Sequence, residues 1–193
     1  MLDKKTREKY LSVLGYSNDK KGILKLQTNY FFNKKDKDGI YGKNTDILLQ
    51  NVYNIKTLCK NFDLISDKMY CRCRGKYCTG YPAVIDINLL RTLQNFRTTL
   101  GFSMIVESCL RCTKHNKNSG GASGSRHLTG KAIDISNKTY TNSLERRKVL
   151  SNKWVSWYPT SRYSYSNGYG NNKGAISTPK VPSMGISIHF DVK

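Results

Sequence analysis

The chain has 193 residues, with 33 Lys and Arg against 13 Asp and Glu and a formal charge of +20. That length suits one domain, or one domain with a small appendage. No apolar run approaches the roughly 18 residues of a membrane span, and the basic Met1–Arg7 segment has no apolar core behind it to make a secretory signal. So strong a positive field draws polyanions such as nucleic acid, acidic lipid or the anionic polymers of a bacterial wall, and charge alone does not choose among them.

Along the chain, residues 22–57 read as a helical hairpin. Ile23, Leu26, Gln27, Tyr30 and Phe31 recur at spacings of three and four. The run Asp36-Lys37-Asp38-Gly39-Ile40-Tyr41-Gly42 is a turn whose two glycines are free to take positive φ. Asn44 or Thr45 is the expected cap of a second helix carrying Ile47, Leu48, Leu49 and Val52. Helix, D-G-I-Y-G turn and T-x-x-x-L resemble the peptidoglycan-binding module of wall hydrolases, with Tyr10–Tyr16 at the opening of its first helix.

Residues 58–68 read as a linker. Asp86 to Leu100 predicts an amphipathic helix: Asp86 caps it, Leu89, Leu90, Leu93, Phe96 and Leu100 share a face, and Gly101 stops it. A strand is expected over 103–108, leading into Cys109-Leu110-Arg111-Cys112. Two further strands, 132–136 and 186–192, alternate. Ile133 and Ile135 point away from Asp134, and Ile188 and Phe190 point away from Ser187, His189 and Asp191. Paired side by side, they bring Asp134, His189 and Asp191 onto one polar surface. Between them, Trp154, Trp157, Tyr158, Tyr163, Tyr165 and Tyr169 lie among Ser, Asn and Gly, as an aromatic lip or a loose loop.

The chemistry concentrates in Ser125-x-His127-x2-Gly130-x-Ala132-x-Asp134 and the late His189-x-Asp191. Two imidazoles and a carboxylate form a three-ligand set that leaves the fourth position of a tetrahedral zinc open for water, as in catalytic sites. Fully extended, the seven steps from His127 to Asp134 cover about 23 Å, so the chain must reverse between them, and Thr129-Gly130 supplies the bend. The cysteines at 71, 73, 78, 109 and 112 admit a second, structural zinc site, against the alternative of free thiols in a chain without an export signal.

From about Tyr70 to Val192 the chain resembles the zinc D-alanyl-D-alanine carboxypeptidase family, which includes phage L-alanyl-D-glutamate endolysins. The likeness rests on Cys71-Arg72-Cys73-x-Gly75-Lys76, the helix from Ile87, Glu107–Asn116, Gly120-Gly121-Ala122-Ser123 and the histidine motifs. It implies an α+β fold: a helical wall-binding module over 1–57, a linker over 58–68, and a peptidase domain over 69–193 with a central antiparallel sheet, helices on one face and zinc on the other. It also implies His127, Asp134 and His189 as zinc ligands, Arg111 as the group facing a substrate carboxylate or developing oxyanion, and Ser125 as a supporting donor at the substrate side. Many members place Glu three residues before the last histidine, or His two before it. Here Ile186 and Ser187 stand there, which makes Asp191 the candidate base, or else a partner that orients His189, with Glu107 in reserve. The expected protein is a monomeric phage-type endolysin made in the cytoplasm and acting on the wall after release, cutting L-Ala–D-Glu in preference to D-Ala–D-Ala. Its partners are peptidoglycan and wall anionic polymers, with no specific nucleic acid and no membrane insertion. The alternative is a catalytically inactive wall-binding protein that keeps a structural zinc.

Overall fold

The computed structural model describes residues 1–158, 161–165, 168–171, 174–177 and 186–192, with the backbone alone over the three stretches between 162 and 177. Three helices open the chain: α1 (Lys4–Val13), α2 (Lys20–Tyr30) and α3 (Lys43–Leu58). Asp3 and Asp19 cap the first two by accepting from Thr6 N and Gly22 N. Leu11, Ile23, Leu26, Leu48, Leu49, Val52 and Ile55 bury the faces between them. The D-G-I-Y-G turn is locked from α2, where Gln27 Nε2 donates to Asp38 Oδ1 and the Ile40 carbonyl and Gln27 Oε1 accepts from Gly39 N. Of the turn's two glycines only Gly39 takes positive φ, at 74°; Gly42 is extended and is itself the cap residue of α3. Thr45, expected at the cap, lies inside the first turn because its hydroxyl is drawn inward to the Ile40 carbonyl and Gln27.

The helical part and the remainder share one continuous buried cluster. Asn51 of α3 donates to the Ala83 carbonyl and accepts from Ile85 N, and Tyr81 donates to the Tyr30 carbonyl. Residues 58–68 run between them as turns whose Cys59, Phe62 and Leu64 are buried.

The second part carries α4 (Ile87–Leu100), α5 (Thr113–Asn118) and α6 (Leu144–Trp157) with strands β1 (Ile105–Ser108), β2 (Ala132–Ser136), β3 (Arg162–Tyr165), β4 (Gly168–Asn171), β5 (Gly174–Ser177) and β6 (Ile188–Asp191). They form one antiparallel sheet in the order β1-β2-β6-β3-β4-β5, so the α+β class expected from the sequence holds. Helix α4 begins and ends where the pattern places it: Asp86 accepts from Asn88 N and Leu89 N, and Gly101 closes it in the left-handed region.

One face of the sheet meets the helices. Val106, Ile133, Ile135, Ile188 and Phe190 pack under Leu89, Leu90, Leu93 and Phe96. Trp154 of α6 is fully buried and stacks on Phe190 at 4.1 Å, with Phe96 edge-on to it. This corrects the aromatic-lip expectation at its first member. Trp154 is core, and the stretch before Tyr158 is a helix whose buried stripe, Arg147, Leu150, Ser151 and Trp154, is half polar. Trp157, more exposed, sits edge-on to Phe96. The side chains of Tyr163, Tyr165 and Tyr169 lie outside the described residues.

Candidate metal centre

Register builds the centre. In the β2–β6 pair, Asp134 stands opposite His189 and Ala132 opposite Asp191, while Ile133 faces Phe190 and Ile135 faces Ile188. Alternation then sends Asp134, His189 and Asp191 to the polar side and the apolar residues to the core. His127 arrives from the short 3-10 turn Arg126–Thr129. The chain reverses after it at Gly130, where φ is 72° and an ideal Cβ would sit 2.9 Å from the Val84 carbonyl carbon and 3.0 Å from Ile85 Cα. Only glycine satisfies both the backbone sign and that approach. Its carbonyl also accepts from Asp86 N, which ties the bend to the start of α4.

The three donor atoms are convergent. His127 Nε2 lies 3.2 Å from His189 Nδ1 and 3.3 Å from Asp134 Oδ1, and His189 Nδ1 lies 2.7 Å from that same oxygen. Donors each about 2.0–2.2 Å from one tetrahedral ion stand roughly 3.3–3.5 Å apart, so the set is already close to the size a zinc ion requires. The cluster is enclosed. His127 is 1% exposed and Asp134 7%, while His189 is half-buried.

Each ligand is held from behind. His127 Nδ1 donates to the Cys109 carbonyl at 2.6 Å, which fixes the tautomer and leaves Nε2 as a lone pair facing the centre. Asp134 keeps Oδ1 for the imidazoles, while Oδ2 accepts from Arg111 Nη2 at 2.7 Å. Arg111 Nε donates to Ser108 Oγ. On the other nitrogen of His189, Nε2 meets Asp191 Oδ2 at 3.2 Å. Burial would raise the Asp134 carboxyl, but His127 and His189 outweigh it and hold it far below the usual carboxylate range. Burial pushes His127 down, which favours the neutral, ligating form. Burial would lower His189 as well, yet hydrogen bonds and charge from Asp134 and Asp191 raise it to about 9. A cation arriving at Nδ1 therefore displaces a proton, as metal binding to imidazole ordinarily does.

The other sequence candidates are placed as follows. Arg111 is largely buried and pairs with Asp134 rather than forming a surface ion pair. Asp191 is buried against the opposite ring nitrogen of His189 from the one at the centre. Ser125 precedes the 3-10 turn and its side chain makes no cap. Glu107 is a surprise of register. The β1–β2 pairing shifts between Val106 and Ser108, so Glu107 and Ser108 both reach the polar face, Glu107 accepting from Ser136 Oγ at 2.6 Å and Ser108 from Arg111. Bulges re-aim side chains in this way. Sequence reasoning missed Ser108 as the support for Arg111, although its three-residue spacing lies within the motif quoted. The Cys109 carbonyl carries no side-chain signal at all.

Among the described residues, Cys71, Cys73, Cys78 and Cys112 form a second group of converging donors. Cys109, which the sequence grouped with Cys112, does not join it: its thiol is fully buried in the core.

A family model described as Peptidase M15 matches residues 60–166, more than half of the chain. No curated protein matches it. The matched span contains His127, Asp134 and Arg111, and the histidine that completes the centre lies beyond it on β6.

Proposed function

This chain belongs to the Peptidase M15 family and is a metallopeptidase, and from that premise we propose that it is a zinc-dependent endolysin that hydrolyses an amide bond of the peptidoglycan stem peptide. The observation that carries the reading is the convergence of His127 Nε2, Asp134 Oδ1 and His189 Nδ1 on the polar face of the sheet, each held from behind by a separate group. Two imidazoles and one carboxylate are the borderline-soft donor set that suits zinc. Zinc held there supplies an acidified water and polarises the scissile carbonyl.

The chain's own residues do the rest. Arg111 neutralises Asp134 and keeps it aimed at the imidazoles, and its planar, permanently charged fork suits an oxyanion or a stem-peptide carboxylate. Asp191 fixes the ring of His189 from its far nitrogen and so acts as a positioning residue. Glu107, 40% exposed at its side chain on the same face, has solvent beside it, and we place it in the proton-transfer role that Ile186 and Ser187 cannot fill. The L-Ala–D-Glu bond is favoured over D-Ala–D-Ala because residues 1–57, read as a wall-binding module, suit an enzyme acting on polymer. The net charge of +20 then meets wall anionic polymers.

The test compares wild type with His189→Ala on Gram-positive cell walls, following turbidity for lysis and co-sedimentation for binding. The reading expects the variant to bind walls and not to clear them. Full lysis by His189→Ala removes the zinc-peptidase reading. Wall binding without lysis by the zinc-loaded wild type favours the inactive wall-binding alternative.

A further inference from the structure

The geometry points to a second metal site in this protein: Cys71, Cys73, Cys78 and Cys112 hold one structural zinc ion as a tetrathiolate, apart from the His127–Asp134–His189 centre. Their four Sγ atoms all lie within 4.8 Å of one another, and Cys73 Sγ is 3.4 Å from Cys78 Sγ. Thiolates each about 2.3 Å from a tetrahedral zinc stand roughly 3.8 Å apart, so the cluster has the size of such a site before any ion is added. A disulfide needs sulfurs at about 2.05 Å and takes them in pairs. Four thiols gathered around a common point are the pattern of a metal site.

The surroundings are those of metal-bound sulfur. Cys112 N donates to Cys71 Sγ at 3.3 Å and Gly80 N donates to Cys78 Sγ at 3.4 Å. Backbone N–H groups aimed at sulfur stabilise thiolate over thiol and are the outer support such ligands use. The loop that presents three of the ligands is folded tightly: Cys71 N donates to the Gly80 carbonyl, Arg74 N to the Cys71 carbonyl and Lys76 N to the Cys73 carbonyl, with Arg74 at a positive φ of 48°. Four thiolates around a dication leave a net charge of −2, and the ligand segments 71–80 and 109–118 carry Arg72, Arg74, Lys76, Arg111, Lys114 and Lys117 with no Asp or Glu. Burial grades across the cluster, Cys71 and Cys112 being buried and Cys73 and Cys78 half-buried, which leaves an entry side for the ion. The two cysteines outside the cluster are core thiols, with Cys59 donating to the Leu90 carbonyl.

The position gives the site its purpose. Cys71 and Cys112 are 41 positions apart, and Cys112 directly follows Arg111, whose guanidinium holds Asp134. On the other strand of the loop, Arg72 donates to the Val106 carbonyl of β1. An ion here clamps the 71–78 loop onto the segment that supplies Arg111, and it adds a cross-link to a long loop whose two ends already meet in the core.

The test uses the full chain, purified under reducing conditions and dialysed against metal-free buffer, with zinc read by mass spectrometry of the metal. Wild type is expected to hold two zinc ions per chain and His189→Ala one. The ion retained by His189→Ala must be sulfur-bound. Exchanged for cobalt(II), that variant should show an intense thiolate-to-cobalt charge-transfer band in the near ultraviolet with the visible bands of a four-coordinate ion, and four thiols should become reactive only when the metal is extracted. Adding Cys112→Ser to it should remove the charge-transfer band or shift it to a weaker three-sulfur form. The proposal is overturned if His189→Ala retains no metal, if its cobalt form lacks thiolate charge transfer, or if the four cysteines prove to be paired as disulfides. None of these readouts needs peptidase activity, and the three overturning outcomes are read without any cysteine variant, since His189→Ala keeps all six thiols.

Discussion

Replacing Gly130 by alanine separates two constraints that the bend between His127 and Asp134 imposes. The first is the backbone sign. At φ 72° an L-residue costs about 1–2 kcal/mol. The second is space, because the new Cβ would run into the Val84 carbonyl oxygen and press on the Val84 carbonyl carbon and Ile85 Cα at 2.9 and 3.0 Å, and overpacking against atoms that cannot swing aside costs about 1–3 kcal/mol more. Together they predict a loss of about 2–5 kcal/mol. Two reference glycines divide that figure. Gly101 has nearly the same φ with nothing within 4 Å of its Cβ position, so Gly101→Ala should lose only the conformational part, about 1–2 kcal/mol. Gly124 has open space and no positive φ, so Gly124→Ala should stay within about 0.5 kcal/mol of wild type. Urea titration of the zinc-loaded proteins reads all three, with a slope on the order of 1–3 kcal/mol per molar for a chain of this size. The Gly130 variant should also bind zinc more weakly, since the bend sets the spacing of two ligands. If Gly130→Ala loses no more stability than Gly101→Ala, the close approach to Val84 is not a constraint and the argument for the bend fails.

Other outcomes follow from the same packing and bonding. Trp154→Ala should cost about 3–5 kcal/mol, because the ring is fully buried on Phe190. Trp154→Phe should cost clearly less, since the indole Nε1 is buried without a hydrogen-bond partner among the described residues; equal losses in urea would contradict that account. Asn51→Leu strands the Ile85 N–H and the Ala83 carbonyl and should cost about 2–4 kcal/mol. It should do so in one cooperative transition, because α3 shares its core with α4; two separate calorimetric transitions would show that residues 1–57 fold on their own. Asp191→Asn should weaken zinc at the His189 centre about 10- to 100-fold in a competition titration, while Glu107→Gln should lower kcat with zinc affinity retained. If those two variants exchange effects, Asp191 is the base and Glu107 the bystander.

Much of the centre was legible because strand alternation is a strict rule. Once 132–136 and 186–192 were strands, Asp134 and His189 had to share a face with Asp191, and the pairing register puts them opposite one another. Asp86 and Gly101 marked α4 because caps and left-handed stops are local chemistry. What escaped the sequence has physical reasons of its own. Helix α6 was hidden because Arg147 and Ser151 interrupt the apolar stripe of Leu150 and Trp154. The bulge in β1 breaks the period-two rule that alternation relies on, so Glu107 and Ser108 could not both be assigned to the polar face beforehand. The cysteine cluster drew in Cys109 by spacing alone, whereas the chain turns that thiol into the core and leaves Cys112 to meet Cys71 from 41 positions away. Cap chemistry also misled at α3, where tertiary bonds from Gln27 pull Thr45 inward and leave Gly42 at the start.

The most direct test is digestion of purified Gram-positive peptidoglycan by the zinc-loaded chain, with and without a zinc chelator, followed by mass spectrometry of the released ends. The account predicts new D-Glu amino termini that disappear with chelator and return when zinc is restored. Walls left uncut by zinc-loaded protein, or cut equally well in the chelator, would contradict it.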